Sequence, residues 1–264
     1  MLLLCVDIGN TSISFGIFKG KKLLKTWRVG TQKLSSLRGA PKGRRSNLNA
    51  IIISSVVPKA LSKLKPLIKR QFKKTPVYPV RSQVIQHGMN WASNGVYILG
   101  ENIKVPIKNL YHNPKQVGQD RLVNAVAAVS LYGAPAIVVD FGTAITFDVI
   151  SKKGEYLGGV IVPGMEISLD ALSSRAALLP KIKLSKPKSL LGKDTVDSML
   201  SGIFYGFGSL TDGIAEKLKH KYMKDAKVIT TGGHSDMIAP YCKSINHVNK
   251  NLTLEGLRII FEKA

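Results

Sequence analysis

The clearest chemistry in this chain lies in a short turn that occurs twice. Each copy begins with an aspartate, Asp7 or Asp140, that follows an apolar run and has a glycine two positions further on. A glycine after a buried strand lets backbone N–H groups converge on an anionic oxygen, and the hydroxyls of Thr11 and Thr143 add donors. The carboxylates could hold Mg²⁺ or another cation, directly or through water, which would offset their repulsion of phosphate. One such turn alone would mean little, but the pair predicts a polyphosphate site and a phosphotransferase.

The two turns belong to an internal repeat. Residues 7–15 superimpose on residues 140–147 when Asn10 is treated as an insertion, with Asp, Gly, Thr, Ile and Phe shared. Each copy lies between two apolar segments that have the character of strands. Chance similarity of two strand-turn-strand units is the alternative, but the shared residues favour duplication. We therefore predict two related halves, each with one turn facing a central cleft.

The segments around these turns predict the elements that position them. Continuous apolar runs are typical of strands buried on both faces, whereas apolar residues at helical spacing indicate helices. Strands are predicted over 2–7, 13–18, 23–29, 51–56, 136–139, 145–150, 156–162 and 228–231, and helices over 58–72, 119–131, 165–178, 195–218 and 254–262. Residues 31–49 are predicted as a loop or a short irregular helix, and a break at the glycine-rich centre of 195–218 is left open. The alternation indicates an α/β chain with domains over 1–117 and 118–264.

Charge is distributed unevenly along the 264 residues, whose formal net charge is +23. Residues 1–117 contain 21 Lys or Arg and 2 Asp or Glu, whereas residues 118–264 contain 18 and 14. A nucleic-acid or anionic-membrane contact could produce such an asymmetry. We favour a lysine-rich solvated surface around a site for anionic substrates, because the lysines are scattered and few aromatic residues are interleaved for base stacking.

Other features of the sequence bear on the compartment. The apolar N-terminus has no basic segment before it, and no stretch approaches the ~18 apolar residues of a membrane span. Cys5 and Cys242 lie far apart without a C-x-x-C pair, so we predict buried thiols and no metal-cysteine site. We therefore expect a soluble cytoplasmic protein with no membrane partner.

Competing nucleotide and hydrolase motifs are missing from the sequence. Residues 192–195 lack the earlier glycine of a P-loop and the hydroxyl directly after its lysine. No strand is followed by G-x-G-x-x-G, and no G-x-S-x-G elbow is present. P-loop, Rossmann and hydrolase interpretations are therefore disfavoured.

Taken together, the motifs resemble those of the bacterial type III pantothenate kinases, which belong to the actin, Hsp70 and sugar-kinase superfamily. The matching stretches cover nearly the whole chain and are residues 7–11, 55–58, 111–121, 140–144, 158–164 and 231–233. The resemblance implies two related RNase H-like (actin-like ATPase) domains with a nucleotide cleft between them. It also implies ATP-dependent phosphorylation of pantothenate to 4′-phosphopantothenate, the first step of coenzyme A biosynthesis. A homodimer that needs Mg²⁺ and a monovalent cation, K⁺ or NH₄⁺, is implied as well.

Individual roles follow from the same resemblance. Asp120 matches the catalytic residue, which accepts the proton of the pantothenate hydroxyl; a charge at a helix N-terminus is the alternative suggested by its position. The ATP-binding matches are Asp7, Ile8, Gly9, Asn10, Thr11, Ser12, Ile13, Ser14, Thr143, Gly232 and Gly233. The substrate-binding matches are Tyr111, Gly118, Gln119, Asp120, Arg121 and, reaching the neighbouring subunit's site, Thr195. Asp140 matches the ligand of the monovalent cation, and Asp7 is assigned to Mg²⁺, directly or through water.

For most of these residues a plainer interpretation stays open. Tyr111 could be an ordinary half-buried aromatic residue, Arg121 could form a salt bridge, and Thr195 could cap a helix. Residues 232–233 could be a simple turn between a strand and a helix.

At the level of function, two alternatives remain. One is a regulatory or nucleic-acid-binding relative of the same fold, which the basic first half would suit, although we do not expect a nucleic-acid partner. The other is a kinase of another small hydroxylated metabolite.

Overall fold

The computed structural model describes residues 1–33, 48–71 and 95–264. Its strands are β1 (Leu2–Ile8), β2 (Ser12–Lys19), β3 (Lys22–Gly30), β4 (Leu48–Ser55), β5 (Gly95–Ile98), β6 (Ala136–Phe141), β7 (Ala144–Ile150), β8 (Tyr156–Pro163), β9 (Lys227–Thr231) and β10 (His247–Val248). Its helices are α1 (Pro58–Gln71), α2 (Gln119–Tyr132), α3 (Met165–Arg175), α4 (Thr195–Lys221), α5 (Ser235–Ile238) and α6 (Leu252–Lys263). This is the α/β class that the alternating sequence pattern predicts.

Two five-stranded sheets repeat one topology. The strand order is β3-β2-β1-β4-β5 in the first sheet and β8-β7-β6-β9-β10 in the second. In each, the first three strands of that order pair antiparallel, and the remaining two extend the sheet in parallel. The turns that begin at Asp7 and Asp140 occupy equivalent positions, between β1 and β2 and between β6 and β7. The two related halves predicted from the short sequence repeat therefore share one sheet topology.

The contacts of the chain divide it into two compact units that interleave along the sequence. The first unit comprises Met1–Pro106, Lys115–Ala127 and Thr253–Ala264, and the second comprises Ile107–Pro114 and Ala128–Leu252. In the first unit, α6 covers one face of the sheet, where Gly16 leaves room for the Leu254 side chain. The domain boundary at residues 117 and 118 stays a prediction.

Each unit has its own apolar core. In the first, β1, β2 and β4 pack their buried isoleucines and valines against Leu61, Leu64 and Ile68 of α1. In the second, β6 and β7 pack against α3 and α4, with Phe141, Phe147 and the other side chains of the cluster fully or nearly fully buried. The strands β4 and β6 have continuous buried runs because central parallel strands are covered on both faces.

Helix α4 runs unbroken for 27 residues, so the break left open at its glycine-rich centre does not occur. A glycine inside a helix costs about 1 kcal/mol relative to alanine. Burial of Ile203, Phe204, Thr211 and Ala215, which lie among the glycines of this helix, offsets that cost. Gly208 is also required by packing, because a Cβ there would overlap the backbone of Tyr241.

Two other predicted spans differ from the structure. Helix α3 ends at Arg175 rather than at 178, because Ala176 adopts an extended conformation and Leu178, 93% exposed, has no core to pack against. Within the predicted loop over 31–49, residues 31–33 form a single 3-10 turn and residues 48–49 already belong to β4. Residues 34–47, like residue 72 at the end of the predicted first helix, lie outside the described residues.

Neither cysteine forms a disulfide, and their burial differs. Cys5 is fully buried, as predicted, whereas Cys242 is only partly buried. Burial raises the pKa of the Cys5 thiol well above its ordinary value and that of Cys242 to about 12. Separately, none of the helices in the described ranges combines the length and the apolar character needed to cross a membrane.

Candidate active site

The turn between β1 and β2 is held together by backbone hydrogen bonds and by a threonine that follows β3. The Gly9 N–H donates to the Ser12 carbonyl at 3.0 Å. Thr31, directly after β3, donates its hydroxyl to the Gly9 carbonyl at 2.8 Å and its N–H to the Thr11 carbonyl at 3.0 Å. A short, closed turn of this kind keeps its remaining N–H groups in place for an anionic oxygen.

The residues predicted to contact ATP in this turn differ in exposure. Asn10 and Thr11 are exposed at the tip, and Asp7, Gly9, Ser12 and Ser14 are half-buried. Ile8 and Ile13, which flank the tip, are fully buried in the first core. They therefore anchor the turn in the sheet, whereas the polar residues between and beside them face outward.

A row of polar side chains crosses the first sheet beside this turn. Asp7 is paired with Ser14 of β2 and with Ser54 of β4, and Ser14 is paired with Arg28 of β3. Paired residues on neighbouring strands lie on the same face of a sheet. The Arg28 Nε donates to the Ser14 hydroxyl at 3.1 Å, and the fully buried Ser54 hydroxyl has no hydrogen-bond partner within the described part of the chain. The row places two serine residues on the strands beside Asp7 and the Arg28 cation one strand further away, next to Ser14.

Asp120 lies in the first turn of α2 at the same edge of the first sheet. The preceding Gly118 packs against Val56, and the Val56 N–H donates to the Ile8 carbonyl at 3.1 Å. A Cβ at position 118 would overlap Asp120 Oδ1, so a glycine is required for this position of the carboxylate. The ends of the parallel strands β1 and β4 are adjacent, so Asp7, near the end of β1, and the Gly118–Asp120 segment, beside Val56 after β4, lie at the same end of the first sheet.

Burial raises the pKa of Asp120 above its ordinary value. The Arg121 N–H, which donates to Asp120 Oδ1 at 2.9 Å, and the Arg121 charge lower this pKa, but by less than burial raises it. A carboxylate of raised pKa is a better proton acceptor than an exposed aspartate. The helix-terminus interpretation of Asp120 is correct for its position and does not conflict with a chemical role.

Gln119, the first residue of α2, packs against the loop that follows β5. Its side chain would lie 3.7 Å from a Cβ at Gly100, a residue with a φ of +79°. Gln119 and Arg121 are both half-buried, and Gly118 lies directly before them. These predicted substrate-binding residues therefore form one continuous segment around Asp120.

The second turn, between β6 and β7, contacts the turn at Gly232 and Gly233, which is predicted to bind ATP. The Gly142 N–H donates to the Ala144 carbonyl at 3.2 Å, and the Gly164 N–H donates to the Thr143 carbonyl at 3.1 Å. Gly232 has a φ of +95°, and a Cβ there would overlap Asp140 Oδ1 and lie 2.6 Å from the Phe141 carbonyl. Asp140, Thr143 and Gly232, with the adjacent Gly233, are therefore brought together within the second unit.

Tyr111 lies on a segment that docks along β8. The Leu110 N–H donates to the Tyr156 carbonyl at 2.9 Å, and the Tyr111 ring would lie 3.7 Å from a Cβ at Gly158. The half-buried aromatic interpretation fits its exposure. Tyr156 was not singled out from the sequence, because its contact with Tyr111 arises only when the two segments pair.

Thr195 is the first residue of α4 and is exposed. The interpretation of Thr195 as the helix cap is wrong, because Asp194 is the cap and its carboxylate accepts the Asp197 N–H at 2.8 Å. A depression bordered by Leu179, Gly192 and Met199 adjoins Thr195. Among the described contacts, none joins Thr195 to Tyr111 or to the Asp140 turn.

The oxygen atoms around the two aspartates suit hard cations. Asp7 lies in the row with two serine hydroxyls, and Asp140 lies beside the Phe141 carbonyl. Within residues 1–33, 48–71 and 95–264, no group of three or more His, Cys, Asp or Glu could hold a metal ion. Each cation would therefore take a carboxylate, with its other ligands from hydroxyls, carbonyls, nucleotide or water. Such oxygen ligands fit Mg²⁺ and monovalent cations and are unlike the Cys and His sets of zinc sites.

Comparison with known proteins decides the family. A family model described as type III pantothenate kinase matches residues 3–100 and 79–217. The chain belongs to this family. The type III pantothenate kinase of Halalkalibacterium halodurans is 39% identical over 272 aligned positions, which cover 99% of each chain. That of Citrifermentans bemidjiense is 40% identical, again over 99% of each chain. The family and enzyme class predicted from the motifs are confirmed, and the protein is a kinase.

Solved structures confirm the fold. A Campylobacter jejuni protein, described provisionally as a Baf family transcriptional activator, has a TM-score of 0.58 at 20% identity and covers 98% of each chain. The activator of 2-hydroxyisocaproyl-CoA dehydratase from Clostridium difficile, with bound ADPNP, has a TM-score of 0.52 at 10% identity, covering 100% of this chain and 95% of that one. At these identities the likeness concerns the fold alone.

Proposed function

We propose that this type III pantothenate kinase transfers the γ-phosphoryl group of ATP to the hydroxyl of pantothenate and forms 4′-phosphopantothenate, the first step of coenzyme A biosynthesis. One observation supports this most. Asp120, a carboxylate with a raised pKa, lies at the same sheet edge as the Asp7 turn, in a chain about 40% identical over its full length to type III pantothenate kinases.

Asp120 is the proposed proton acceptor. It receives the proton of the pantothenate hydroxyl as that oxygen attacks the γ-phosphorus, and the bond from phosphorus to the β,γ-bridging oxygen of ATP breaks. Phosphoryl transfer has a loose transition state, so positioning and charge compensation matter more than the strength of the base. The Arg121 side chain supplies positive charge beside Asp120 and is suited to an anionic group of substrate or product.

The nucleotide contacts are proposed for the two closed turns. The residues assigned to ATP are Asp7, Ile8, Gly9, Asn10, Thr11, Ser12, Ile13, Ser14, Thr143, Gly232 and Gly233, with the two isoleucines acting as anchors of the turn. The N–H groups and hydroxyls of these turns bind the phosphates, and Gly232 leaves the close approach that adenosine needs. Mg²⁺ at Asp7 and K⁺ or NH₄⁺ at Asp140 would neutralise phosphate charge.

The acceptor contacts are proposed for Tyr111, Gly118, Gln119 and Arg121, together with Thr195 of a second subunit. A homodimer is supported by the exposed apolar residues that precede α4. Leu178, Leu190 and Leu191 are 93%, 65% and 76% exposed, an unusual state for leucine. An interface there would cover them and place Thr195 beside the neighbouring site.

A coupled assay of ADP release tests the proposal. The acceptors are pantothenate, pantetheine and common sugars, each with and without K⁺. We expect ADP release that requires pantothenate or a close analogue and is stimulated by K⁺ or NH₄⁺. ADP release with a sugar but not with pantothenate would instead assign the chain to another metabolite.

A further inference from the structure

A fully buried carboxylate in the second unit has no part in the phosphotransfer proposed above. Asp148 on β7 and Tyr156 on β8 each have 0% exposure. The Tyr156 hydroxyl donates to Asp148 Oδ1 at 2.7 Å, and the Thr146 hydroxyl donates to Oδ2 at 3.1 Å. Burying a carboxylate is costly even when it is hydrogen-bonded, and an apolar pair of similar volume is often at least as stable. The pair therefore calls for a reason beyond core stability.

Tyr156 is joined to the segment that presents Tyr111. Its N–H donates to the Lys108 carbonyl, and its carbonyl accepts the Leu110 N–H, both at 2.9 Å. The Lys108 ammonium lies 2.8 Å from Glu155 Oε1, which ties the same segment to the residue before Tyr156. The Tyr111 and Tyr156 rings are tilted at 49°, with centroids 6.5 Å apart. The position of Tyr111 therefore depends on where Tyr156 is held.

One side of the Tyr111 ring lies beside Gly158. This residue has a φ of +142°, which side chains other than glycine rarely adopt, and a Cβ there would lie 3.7 Å from two atoms of the Tyr111 ring. The Tyr111 N–H donates to Asn109 Oδ1 at 3.0 Å. The contacts of Tyr111 with Asn109, Tyr156 and Gly158 therefore restrict the orientation of its ring.

We propose that Asp148 is a positioning residue for the acceptor side of the site, acting through the Tyr156 hydroxyl on Tyr111. This inference rests on the proposed function, in which Tyr111 contacts pantothenate. A hydrogen bond to a carboxylate is about twice as strong as a neutral one and fixes the direction of the phenol. Asp148 holds Tyr156, Tyr156 holds the 108–111 segment, and that segment presents Tyr111 to the acceptor.

The expected consequence is a change in the KM for pantothenate but not in the KM for ATP. The Tyr156 contacts given above join it to Asp148 and to the 108–111 segment, whereas Asp148 also accepts from Thr146, the cross-strand partner of Asp140. Loss of the Tyr156 hydroxyl should therefore weaken pantothenate binding without weakening ATP binding. A general loosening of the second core would instead raise the KM for ATP as well as that for pantothenate. The reason is that the Asp140 turn and the Gly232 turn, both predicted to bind ATP, are built on the same sheet as Tyr156.

Steady-state kinetics of Tyr156→Phe test this. The expected result is a rise of about tenfold in the pantothenate KM, the order expected for a lost hydrogen bond to a charged group, with the ATP KM and kcat within about twofold of wild type. Asp148→Asn keeps an oxygen acceptor for Tyr156 and should give a smaller rise in the same constant. The matched control is Tyr132→Phe, which loses a hydrogen bond with Asn249 at 3.0 Å beside β10, at the opposite edge of the same sheet.

A double-variant cycle separates positioning from simple stability. If Asp148 and Tyr156 act through Tyr111, then Tyr156→Phe should add little to the pantothenate KM of Tyr111→Ala. Amide hydrogen exchange over residues 108–111 should also be faster in Tyr156→Phe than in Tyr132→Phe. Additive effects, an unchanged pantothenate KM, or a parallel rise in the ATP KM would overturn the inference.

The two possible failures are distinguishable. A wild-type protein without pantothenate turnover overturns the proposed function, and with it the acceptor role of Asp148. A wild-type protein that turns over pantothenate, with Tyr111→Ala impaired and Tyr156→Phe not, overturns the role of Asp148 alone.

Discussion

Asp120, the proposed proton acceptor, has a pKa that links the stability of the fold to pH. Burial raises its pKa, and only part of that effect is offset by the N–H and the charge of Arg121. A carboxyl whose folded-state pKa is raised stabilises the fold at pH values below its unfolded pKa. That contribution is lost as the pH rises through the folded pKa. At neutral pH the ionised, half-buried Asp120 therefore costs stability, and its proposed role as proton acceptor requires that ionised form.

Asp120→Asn should separate the two effects. Turnover should fall by roughly 10²- to 10⁴-fold, the usual loss for a missing proton acceptor, while ATP binding is retained. The variant should melt at a higher temperature than wild type at neutral pH, and the difference should shrink as the pH is lowered and wild-type Asp120 becomes protonated. Thermal melting across pH measures this, and a variant less stable than wild type at neutral pH would contradict it.

Arg121→Gln should move the pH profile in a defined direction. Without the arginine charge, burial of Asp120 is less opposed and its pKa rises further. The acid limb of kcat/KM for pantothenate should therefore shift to higher pH, because a larger fraction of Asp120 is protonated at a given pH. Arg121→Lys keeps the charge and serves as the control, with a limb near that of wild type. A limb that stays in place or moves to lower pH in Arg121→Gln argues against this account.

At the scale of elements, the predicted turns form because their local sequence is sufficient. An aspartate and glycine directly after an apolar strand predict each hairpin, and the structure confirms both. Thr31 and Arg28 could not be found in this way, because they reach the first turn only through the register of β3 against β2. Asp148 and Tyr156 are a similar case, since a single buried contact across β7 and β8 joins them.

Gly232 links two elements that the sequence places far apart. Gly232→Ala combines the cost of a positive φ with a collision against Asp140 Oδ1 and the Phe141 carbonyl. Gly133→Ala is the matched control, because Gly133 has a φ of +87° and nothing within 4 Å of a new Cβ. The control should lose about 1–2 kcal/mol in urea unfolding with an unchanged ATP KM. Gly232→Ala should lose more and raise the ATP KM; equal effects of the two variants would show that the close approach is unimportant.

At the scale of the whole molecule, the two sheets share one topology, but the sequence repeat that indicates it covers only the nine residues 7–15 and their match at 140–147. The rest of the two halves has diverged, so the order β8-β7-β6-β9-β10 could not be predicted from residues alone. The unbroken α4 could not be predicted either, because the burial that holds it together across its glycines comes from distant parts of the second unit. Pairing of distant segments is the common cause.

Mixed dimers test whether the acceptor site is shared between subunits. Thr195→Glu should be benign for α4, since an acidic residue at a helix N-terminus is favourable, but it should repel the carboxylate of pantothenate in the neighbouring site. Coexpression of Thr195→Glu with Asp120→Asn should give mixed dimers as half of the population. In a mixed dimer one site combines an intact Asp120 with an intact Thr195 from the other subunit, and the second site has lost both. The mixture should therefore have about a quarter of wild-type activity. A coexpressed mixture no more active than its two parents would show that Thr195 does not act across the interface.

The central claim is that this chain transfers the γ-phosphoryl group of ATP to pantothenate with Asp120 as the proton acceptor, and direct identification of the product tests it most directly. Wild-type protein and Asp120→Asn are incubated with ATP, Mg²⁺ and pantothenate, in K⁺ and in NH₄⁺, and the products are identified by mass spectrometry while ATP affinity is measured in parallel. We expect 4′-phosphopantothenate from the wild type and almost none from Asp120→Asn, with similar ATP affinity. Absence of phosphopantothenate from the wild type with either cation, or its formation by Asp120→Asn at the wild-type rate, would contradict the account.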